Sequence, residues 1–176
     1  NKLYYINCAT GQDNGNIEFM SISDITSLTE GLKGTVLSSN IKNVKQFAFD
    51  GNNIFYIYNG TIDNSVRRTD FTSLAEGTKI ASSKTNPSEI LLHGDYVYYY
   101  SYAATAASSA GFYKVSKTAT QDGTQELILG YNSTYYGSSL VISSSGYLYF
   151  LNYIPKLLLG DAHFYQLDLS SKNVVK

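Results

Sequence analysis

One short aromatic strand occurs four times in this chain of 176 residues. Each copy begins with an aliphatic residue, and aromatic and aliphatic residues follow it. Successive copies begin 51, 43 and 51 residues apart. A repeat of this length is one supersecondary unit that cannot bury its apolar face alone, so neighbouring units must stack. The four copies lie at residues 3–7, 54–58, 97–101 and 148–152.

Short apolar runs with period-two alternation surround each copy, and no amphipathic helical pattern exceeds about two turns. Each unit therefore reads as four short strands, of which the aromatic strand is the second, and a glycine-containing turn precedes it. The first unit lacks a first strand, so 15 strands are predicted in all. The predicted first strands are residues 44–49, 88–92 and 139–143; the third strands are 17–22, 65–69, 112–116 and 163–169; the fourth strands are 35–38, 79–82, 126–129 and 173–176.

The segments between third and fourth strands support the repeat independently. Residues 24–31 match residues 70–77 at six of eight positions, both segments starting with Asp and ending with Glu-Gly. Because Asp24 and Asp70 recur with the repeat, we expect them to shape turns rather than to form an active site.

Four-stranded antiparallel units of this length are typical of β-propeller blades. We predict an all-β chain, a β-propeller of about four four-stranded blades in a single domain, with repeat units at residues 1–40, 41–85, 86–131 and 132–176. A β-sandwich or a flat solenoid is the alternative, although sandwich strands need not repeat in sequence. We expect an arc of a larger propeller whose open blade edge is completed by the rest of the chain or by another copy; a closed four-bladed ring with one three-stranded blade is the other arrangement.

The aromatic strand resembles the Tyr-Trp-Thr-Asp strand of the low-density-lipoprotein-receptor type of β-propeller and its Tyr-rich bacterial relatives of unknown function. The Trp position holds Tyr5, Tyr56, Tyr99 and Phe150, and the Asp position holds Asn7, Tyr58, Ser101 and Asn152. Ligand contacts that the receptor family makes through that Asp therefore do not transfer. The resemblance to the bacterial relatives implies an extracellular or cell-surface location in a bacterium and no enzymatic role.

Composition excludes several classes of function. The formal net charge is -1 and the only adjacent basic pair is Arg67-Arg68, so the basic cluster that nucleic-acid binding needs is missing. The single cysteine, Cys8, cannot form an internal disulfide, and no apolar run is long enough to span a membrane.

The motifs of catalysis and metal binding are also missing. The two histidines, His93 and His163, belong to different units, and residues 12–16 lack the alternating acidic ligands of a calcium loop. We therefore predict no catalytic residues, no metal site and no cofactor.

Antiparallel blades bring the second-to-third loops and the blade-to-blade connections to one face, which we call the loop face. In this chain these segments vary in length and chemistry, and variable loops on a rigid scaffold commonly carry binding. Tyr131, Asn132, Tyr135 and Tyr136 offer aromatic rings and amides for a ligand such as a sugar. Ile154, Leu157, Leu158 and Leu159 are apolar where solvent is expected and form a candidate partner contact, or else a cover over an adjacent blade.

The sequence thus favours a noncatalytic β-propeller binding module that recognises protein or carbohydrate through its loop face. The alternative is a structural or self-assembly spacer of an exported bacterial protein. A propeller enzyme has less support, because its site would need clustered histidines or carboxylates.

Overall fold

The computed structural model describes residues 1–12, 14–25, 34–61, 63–82, 86–102, 110–130, 137–154 and 161–176. These residues form fifteen strands, all paired antiparallel, and one helical turn, α1 (Ile22–Ile25). The strands are β1 (Lys2–Cys8), β2 (Gly15–Ser21), β3 (Thr35–Val36), β4 (Val44–Asp50), β5 (Asn53–Asn59), β6 (Asn64–Asp70), β7 (Thr78–Ser82), β8 (Asn86–His93), β9 (Tyr96–Tyr102), β10 (Gly111–Ser116), β11 (Glu126–Gly130), β12 (Gly137–Ile142), β13 (Tyr147–Ile154), β14 (Asp161–Asp168) and β15 (Val174–Val175).

The strands are grouped as the repeat predicts. Strands β4–β7 follow one another across a sheet, as do β8–β11 and β12–β15, and β1–β3 form a three-stranded group. The group β1–β3 joins β4–β7 through a single residue pair, Gly15 and Val44. We call these four groups the first to fourth blades, in chain order.

The four aromatic strands β1, β5, β9 and β13 occupy equivalent places in their blades. Except for β1, each aromatic strand follows another strand of its blade. Each of the four pairs with the next strand of its own blade, and equivalent residues face each other in all four pairs. At the position of the repeated aromatic ring the cross-strand pairs are Tyr5 with Glu18, Tyr56 with Arg67, Tyr99 with Tyr113, and Phe150 with Tyr165. Two of these pairs stack their rings, Tyr99 on Tyr113 at 5.6 Å and Phe150 on Tyr165 at 5.4 Å.

The core consists of three apolar clusters, one between each pair of successive blades. Because side chains alternate along a strand, every blade has one face toward the preceding blade and one toward the following blade. Tyr56 packs toward the first blade, whereas its neighbour Phe55 packs toward the third, where it meets Tyr99. Tyr98 then packs against Phe150 of the fourth blade in the same manner. This stacking of sheet on sheet is how the repeat buries its apolar faces.

The first strands of successive blades are also linked by side chains. Gln46 of β4 accepts a hydrogen bond from the backbone N–H of Ile90 in β8. Glu89, at the equivalent place in β8, accepts one from the backbone N–H of Leu140 in β12 at 2.8 Å. The first strands therefore run side by side in the order of the blades, as the inner strands of a propeller do.

The opposite face carries the first-to-second and third-to-fourth connections, and we call it the turn face. Gly51 and Gly94 take positive φ values of 57° and 51° in the tight turns before β5 and β9, where a side chain would be strained. Asp70 ends β6 and accepts hydrogen bonds from the backbone N–H groups of Thr72 and Ser73 at 2.8 and 2.7 Å, so its role is to form a turn. Asp24 lies in α1, three residues beyond the end of β2. It therefore does not occupy the position in its blade that Asp70 occupies at the end of β6.

These observations confirm the predicted all-β propeller fold with 15 strands. The one helical element, α1, is a single turn. Within the described residues, no helix has the length and apolar character that crossing a membrane requires.

Candidate functional site

The residues predicted to bind a ligand are not placed by the structure. Tyr131, Asn132, Tyr135 and Tyr136 lie outside the described residues, as do Leu157, Leu158 and Leu159. Ile154 is the last residue of β13, at the loop-face end of that strand. The proposed ligand and partner contacts of these segments therefore stay predictions.

The described part of the loop face lies mainly between the first and second blades. Cys8 and Gly15 pair at the end of the β1–β2 hairpin, and Asn59 and Asn64 pair at the end of the β5–β6 hairpin. Val44, the first residue of β4, pairs with Gly15 and so brings the two hairpin ends together.

A cavity of about 280 Å³ opens between these hairpin ends. The described residues of its lining are uncharged and rich in amides, and two of them carry hydroxyl groups. It is formed by Gln12, Asn14, Asn43, Tyr58, Asn59, Gly60 and Thr61. We call it the loop-face cavity.

Hydrogen bonds between the blades hold the walls of the loop-face cavity. The Asn14 side chain donates from Nδ2 to the carbonyl of Asn59 at 3.1 Å, which ties the first hairpin to the second. The Asn59 backbone N–H donates to the carbonyl of Asn43 at 2.8 Å, and the Asn43 amide reaches the Tyr58 hydroxyl at 3.5 Å. Asn43 adopts a positive φ of 55°, a conformation that Asn tolerates better than most residues. The amides are therefore held in place by backbone as well as by side-chain contacts.

Behind the cavity, a buried cation supports the Tyr58 ring. The guanidinium of Arg67 lies over the ring at 4.1 Å from its centroid, and the Arg67 side chain is only 12% exposed. Its nitrogens donate to Asp63 at 3.1 Å, to Glu76 at 2.6 Å and to the Ser65 hydroxyl at 3.1 Å. Because all three guanidinium nitrogens have partners, Arg67 is held in place and fixes the Tyr58 side of the cavity.

The charges of this cluster stabilise one another. Burial works to raise the pKa of the Asp63 carboxyl, but the hydrogen bond from Arg67 and the charge of Lys79 outweigh it and hold this pKa below its usual value. Burial likewise opposes the charge of Arg67, yet the carboxylates of Asp63 and Glu76 keep its pKa above the usual range. Asp63 and Arg67 are thus both ionised at neutral pH.

A second cavity, of about 560 Å³, lies on the turn face between the second and third blades. The two cations that line it already have partners: the Lys117 ammonium lies 2.7 Å from Asp50, and Arg68 donates to the backbone carbonyl of Lys117. It is lined by Asp50, Asn53, Phe55, Arg68, Gly94, Asp95, Tyr96, Ser116, Lys117 and Thr118. Because both cations have a partner within the protein, it is a weaker candidate than the loop-face cavity.

The two histidines and the cysteine do not lie together in one site. His93 ends β8 on the turn face, whereas His163 lies near the loop-face start of β14 in the fourth blade. Cys8 is exposed and unpaired. Across the described parts of the chain, no three His, Cys, Asp or Glu side chains cluster in a way that could hold a metal ion.

Sequence reasoning missed the loop-face cavity, although two signals pointed to it. Tyr58 stands where the other copies of the aromatic strand have Asn7, Ser101 and Asn152, and this aromatic exchange marks one wall of the cavity. Gln12 and Asn14 belong to a second-to-third loop of the predicted loop face, in a segment whose side chains were weighed there only against a calcium loop.

Comparison with known proteins shows the fold alone. The structure of TolB from Acinetobacter baumannii superposes with a TM-score of 0.62 over 98% of this chain, at 12% sequence identity. The match covers 39% of the TolB chain, so this chain spans less than half of its length. This likeness is consistent with the propeller arrangement of the blades. No protein family matches the sequence, so the receptor-type resemblance is not confirmed. No curated protein matches it either.

Proposed function

We propose that this chain is a noncatalytic β-propeller binding module whose loop-face cavity binds one ring of a neutral carbohydrate. The observation that carries the proposal is the described lining of the cavity, in which amides and hydroxyls predominate and no side chain is charged. Sugar hydroxyls both donate and accept hydrogen bonds, and so do an amide group and a hydroxyl group.

The size of the cavity supports a small polar ligand. Pockets for drug-sized ligands begin at about 300 Å³, and the loop-face cavity, at about 280 Å³, falls just below that size. A cavity of this size suits a single sugar ring, with the adjoining rings of the glycan left in solvent. A phosphate or carboxylate ligand has less support, because Arg67, which lies against the Tyr58 ring, is already bound to two carboxylates.

The chemistry of the lining also supports binding rather than catalysis. Proton transfer needs a titratable group within hydrogen-bonding reach of the substrate, most often His, Asp, Glu or Lys. Among the described residues that line the loop-face cavity there are none of these. The exported, cell-surface setting in a bacterium that the receptor-type resemblance implies is part of this proposal, as is a protein ligand on the remaining loops.

The test is a glycan array followed by calorimetric titration of the best glycan. The double variant Gln12→Ala/Thr61→Ala removes two exposed side-chain groups from the lining. Neither side chain belongs to the hydrogen bonds given above for the cavity walls, so the change should leave those walls in place. Since a neutral hydrogen bond contributes about 0.5–1.5 kcal/mol, the two changes should weaken binding by about tenfold.

A matched control is available on the turn face. Gln121→Ala/Thr124→Ala makes the same chemical changes at exposed positions between β10 and β11 and should leave the affinity unchanged. Binding that survives Gln12→Ala/Thr61→Ala, or a folded protein that binds no glycan, would reject the cavity as a carbohydrate site. Tyr135→Ala/Tyr136→Ala, in the segment between β11 and β12, should weaken binding if those rings extend the site.

A further inference from the structure

The cavity on the turn face differs from the loop-face cavity in carrying both signs of charge, and we call it the turn-face cavity. Its volume, about 560 Å³, is twice that of the loop-face cavity. The charged side chains of its lining are Asp50, Arg68, Asp95 and Lys117. The second blade packs on the first and the third blade on the fourth, so both walls of the cavity belong to interior blades.

Two contacts between the blades hold these walls together. Phe55 and Arg68 face each other across β5 and β6, and Phe55, which is 1% exposed, lies at the base of the cavity. Arg68 donates to the backbone carbonyl of Lys117, and the Lys117 ammonium returns to Asp50 at 2.7 Å. The cavity is therefore formed before any ligand arrives.

Arg68 lacks a negatively charged partner. Its neighbour Arg67 binds the carboxylates of Asp63 and Glu76, whereas Arg68 contacts only the neutral carbonyl of Lys117 among the described residues. The Arg68 guanidinium is partly buried, and it keeps further N–H donors in a planar fork. A partly buried charge without a counterion is costly, and a bound carboxylate would relieve that cost.

Asp95 is the complementary group on the third blade. It lies in the exposed turn between β8 and β9, where its backbone carbonyl accepts a hydrogen bond from the Lys117 N–H at 2.9 Å. Its carboxylate has no hydrogen-bond or ion-pair partner within the described parts of the chain, whereas the other carboxylate of the lining, Asp50, is paired with Lys117. Asp95 is thus available to a positively charged group.

We propose that the turn-face cavity binds a small zwitterion, an amino acid or a short peptide, whose carboxylate meets Arg68 and whose ammonium meets Asp95. The planar fork of an arginine matches the two oxygens of a carboxylate. The formal charges of the four ionised side chains in the lining sum to zero. A net anion would meet Asp50 and Asp95, and a net cation would meet Arg68 and Lys117, so a ligand with both charges fits best.

The rest of the lining suits the body of such a ligand. Tyr96 is 39% exposed and offers an aromatic surface to an apolar side chain. The Asn53 amide and the Thr118 hydroxyl lie at exposed positions of the lining and can hydrogen-bond to a peptide group. The volume falls within the range of about 300–1,000 Å³ that is usual for small-ligand pockets.

The test begins with thermal-shift screening of the chain against the free amino acids and a panel of glycyl dipeptides at millimolar concentration. The ligand that stabilises most is then titrated by calorimetry beside its N-acetylated and C-amidated forms. Each cap removes one charge-assisted hydrogen bond, so either cap alone should weaken binding by about tenfold or more.

Two variants assign the two ends of the ligand. Asp95→Asn should bind the free ligand more weakly and should no longer distinguish it from the N-acetylated form, while C-amidation should still weaken binding. Arg68→Gln should show the converse pattern, with near-ultraviolet circular dichroism establishing that it is folded. Asp122→Asn is the matched control, because it removes a carboxylate from an exposed turn-face position outside the cavity and should bind like the wild type.

A screen in which no amino acid or dipeptide binds would overturn the proposal. So would a ligand that loses affinity with one cap only, because that result would show a site for a single charge. Equal responses of Asp95→Asn and Arg68→Gln to the two caps would also contradict the assignment. The loop-face variant Gln12→Ala/Thr61→Ala should leave this binding unchanged, so the two cavities fail or succeed independently.

Discussion

The guanidinium of Arg67 lies over the ring of Tyr58, 4.1 Å from its centroid, and the two side chains come from paired strands of the second blade. Tyr58 lines the loop-face cavity, and Arg67 is held behind it by Asp63, Ser65 and Glu76. An ion cluster in the blade thus positions the aromatic wall of the candidate site.

Arg67→Ala should lower the free energy of unfolding by about 2 kcal/mol, because it removes the cation–π contact and leaves the partly buried Asp63 without its main partner. Urea unfolding measures this change. Lys79→Ala is the control: Lys79 reaches Asp63 at 3.4 Å with a more exposed side chain, so its loss should cost less than about 1 kcal/mol. Equal costs for the two variants would show that Arg67 does not organise the cluster.

Two tyrosines at equivalent repeat positions should respond differently to loss of the hydroxyl. The Tyr99 hydroxyl bonds to Gln125, whereas the buried Tyr56 hydroxyl has no hydrogen-bond partner among the described residues. Tyr99→Phe should therefore cost about 1 kcal/mol, and Tyr56→Phe should be neutral or slightly stabilising. Phe150 already occupies the equivalent place in the fourth blade. Urea unfolding of both variants decides the point, and a similar cost at Tyr56 would reveal a partner for its hydroxyl.

Tyr56 should also limit stability in alkali. Burial raises the pKa of Tyr56 to about 12, although the charge of Arg67 opposes this. Since the unfolded chain ionises this phenol near pH 10, the stability it contributes is complete below about pH 10 and is lost as pH rises toward about 12. Unfolding free energies of the wild type and Tyr56→Phe, measured at stepped alkaline pH, should diverge in favour of the variant. Parallel curves would contradict the raised pKa.

Asp168 should limit the stability of the fold at acidic pH. Hydrogen bonds from the Ser170 hydroxyl and backbone N–H lower the pKa of Asp168 to about 2. Its pKa is lower when folded, so its contribution is complete above about pH 4 and is lost as pH falls through about 2. Asp168→Asn keeps an acceptor oxygen but cannot titrate, so its unfolding midpoint should change less than that of the wild type between about pH 5 and pH 2. An identical pH dependence in both proteins would mean that the carboxylate does not titrate in this turn.

The repeat in the sequence was enough to predict the blades, because strand periodicity and the stacking of apolar faces are local and repeated. The aromatic strands fall within β1, β5, β9 and β13, and the ring positions share one register. Asp24 and Asp70 do not occupy the same place in their blades, which the sequence match alone could not reveal: β2 and β6 are both 7 residues long, but Asp70 ends β6 whereas Asp24 lies beyond β2, within α1.

The loop-face cavity could not be predicted in the same way. Its amides come from Gln12 and Asn14 in one hairpin, from Asn43 in a connection between blades and from Asn59 in a second hairpin, and they meet only because Gly15 pairs with Val44. Such a contact depends on how two blades are joined, which no single segment specifies. The ligand residues that the sequence did single out, Tyr131, Asn132, Tyr135 and Tyr136, lie outside the described residues.

Nitrogen–proton correlation spectra recorded during titration with the best glycan from the array test the binding site most directly. Side-chain amides give separate signals, so those of Gln12, Asn14, Asn43 and Asn59 report on the cavity itself. The account predicts that these signals shift in a saturable manner, while the amides of Asn52 and Gln121 on the turn face keep their positions. Saturable shifts confined to the turn face, or binding that leaves all four cavity amides unmoved, would contradict it.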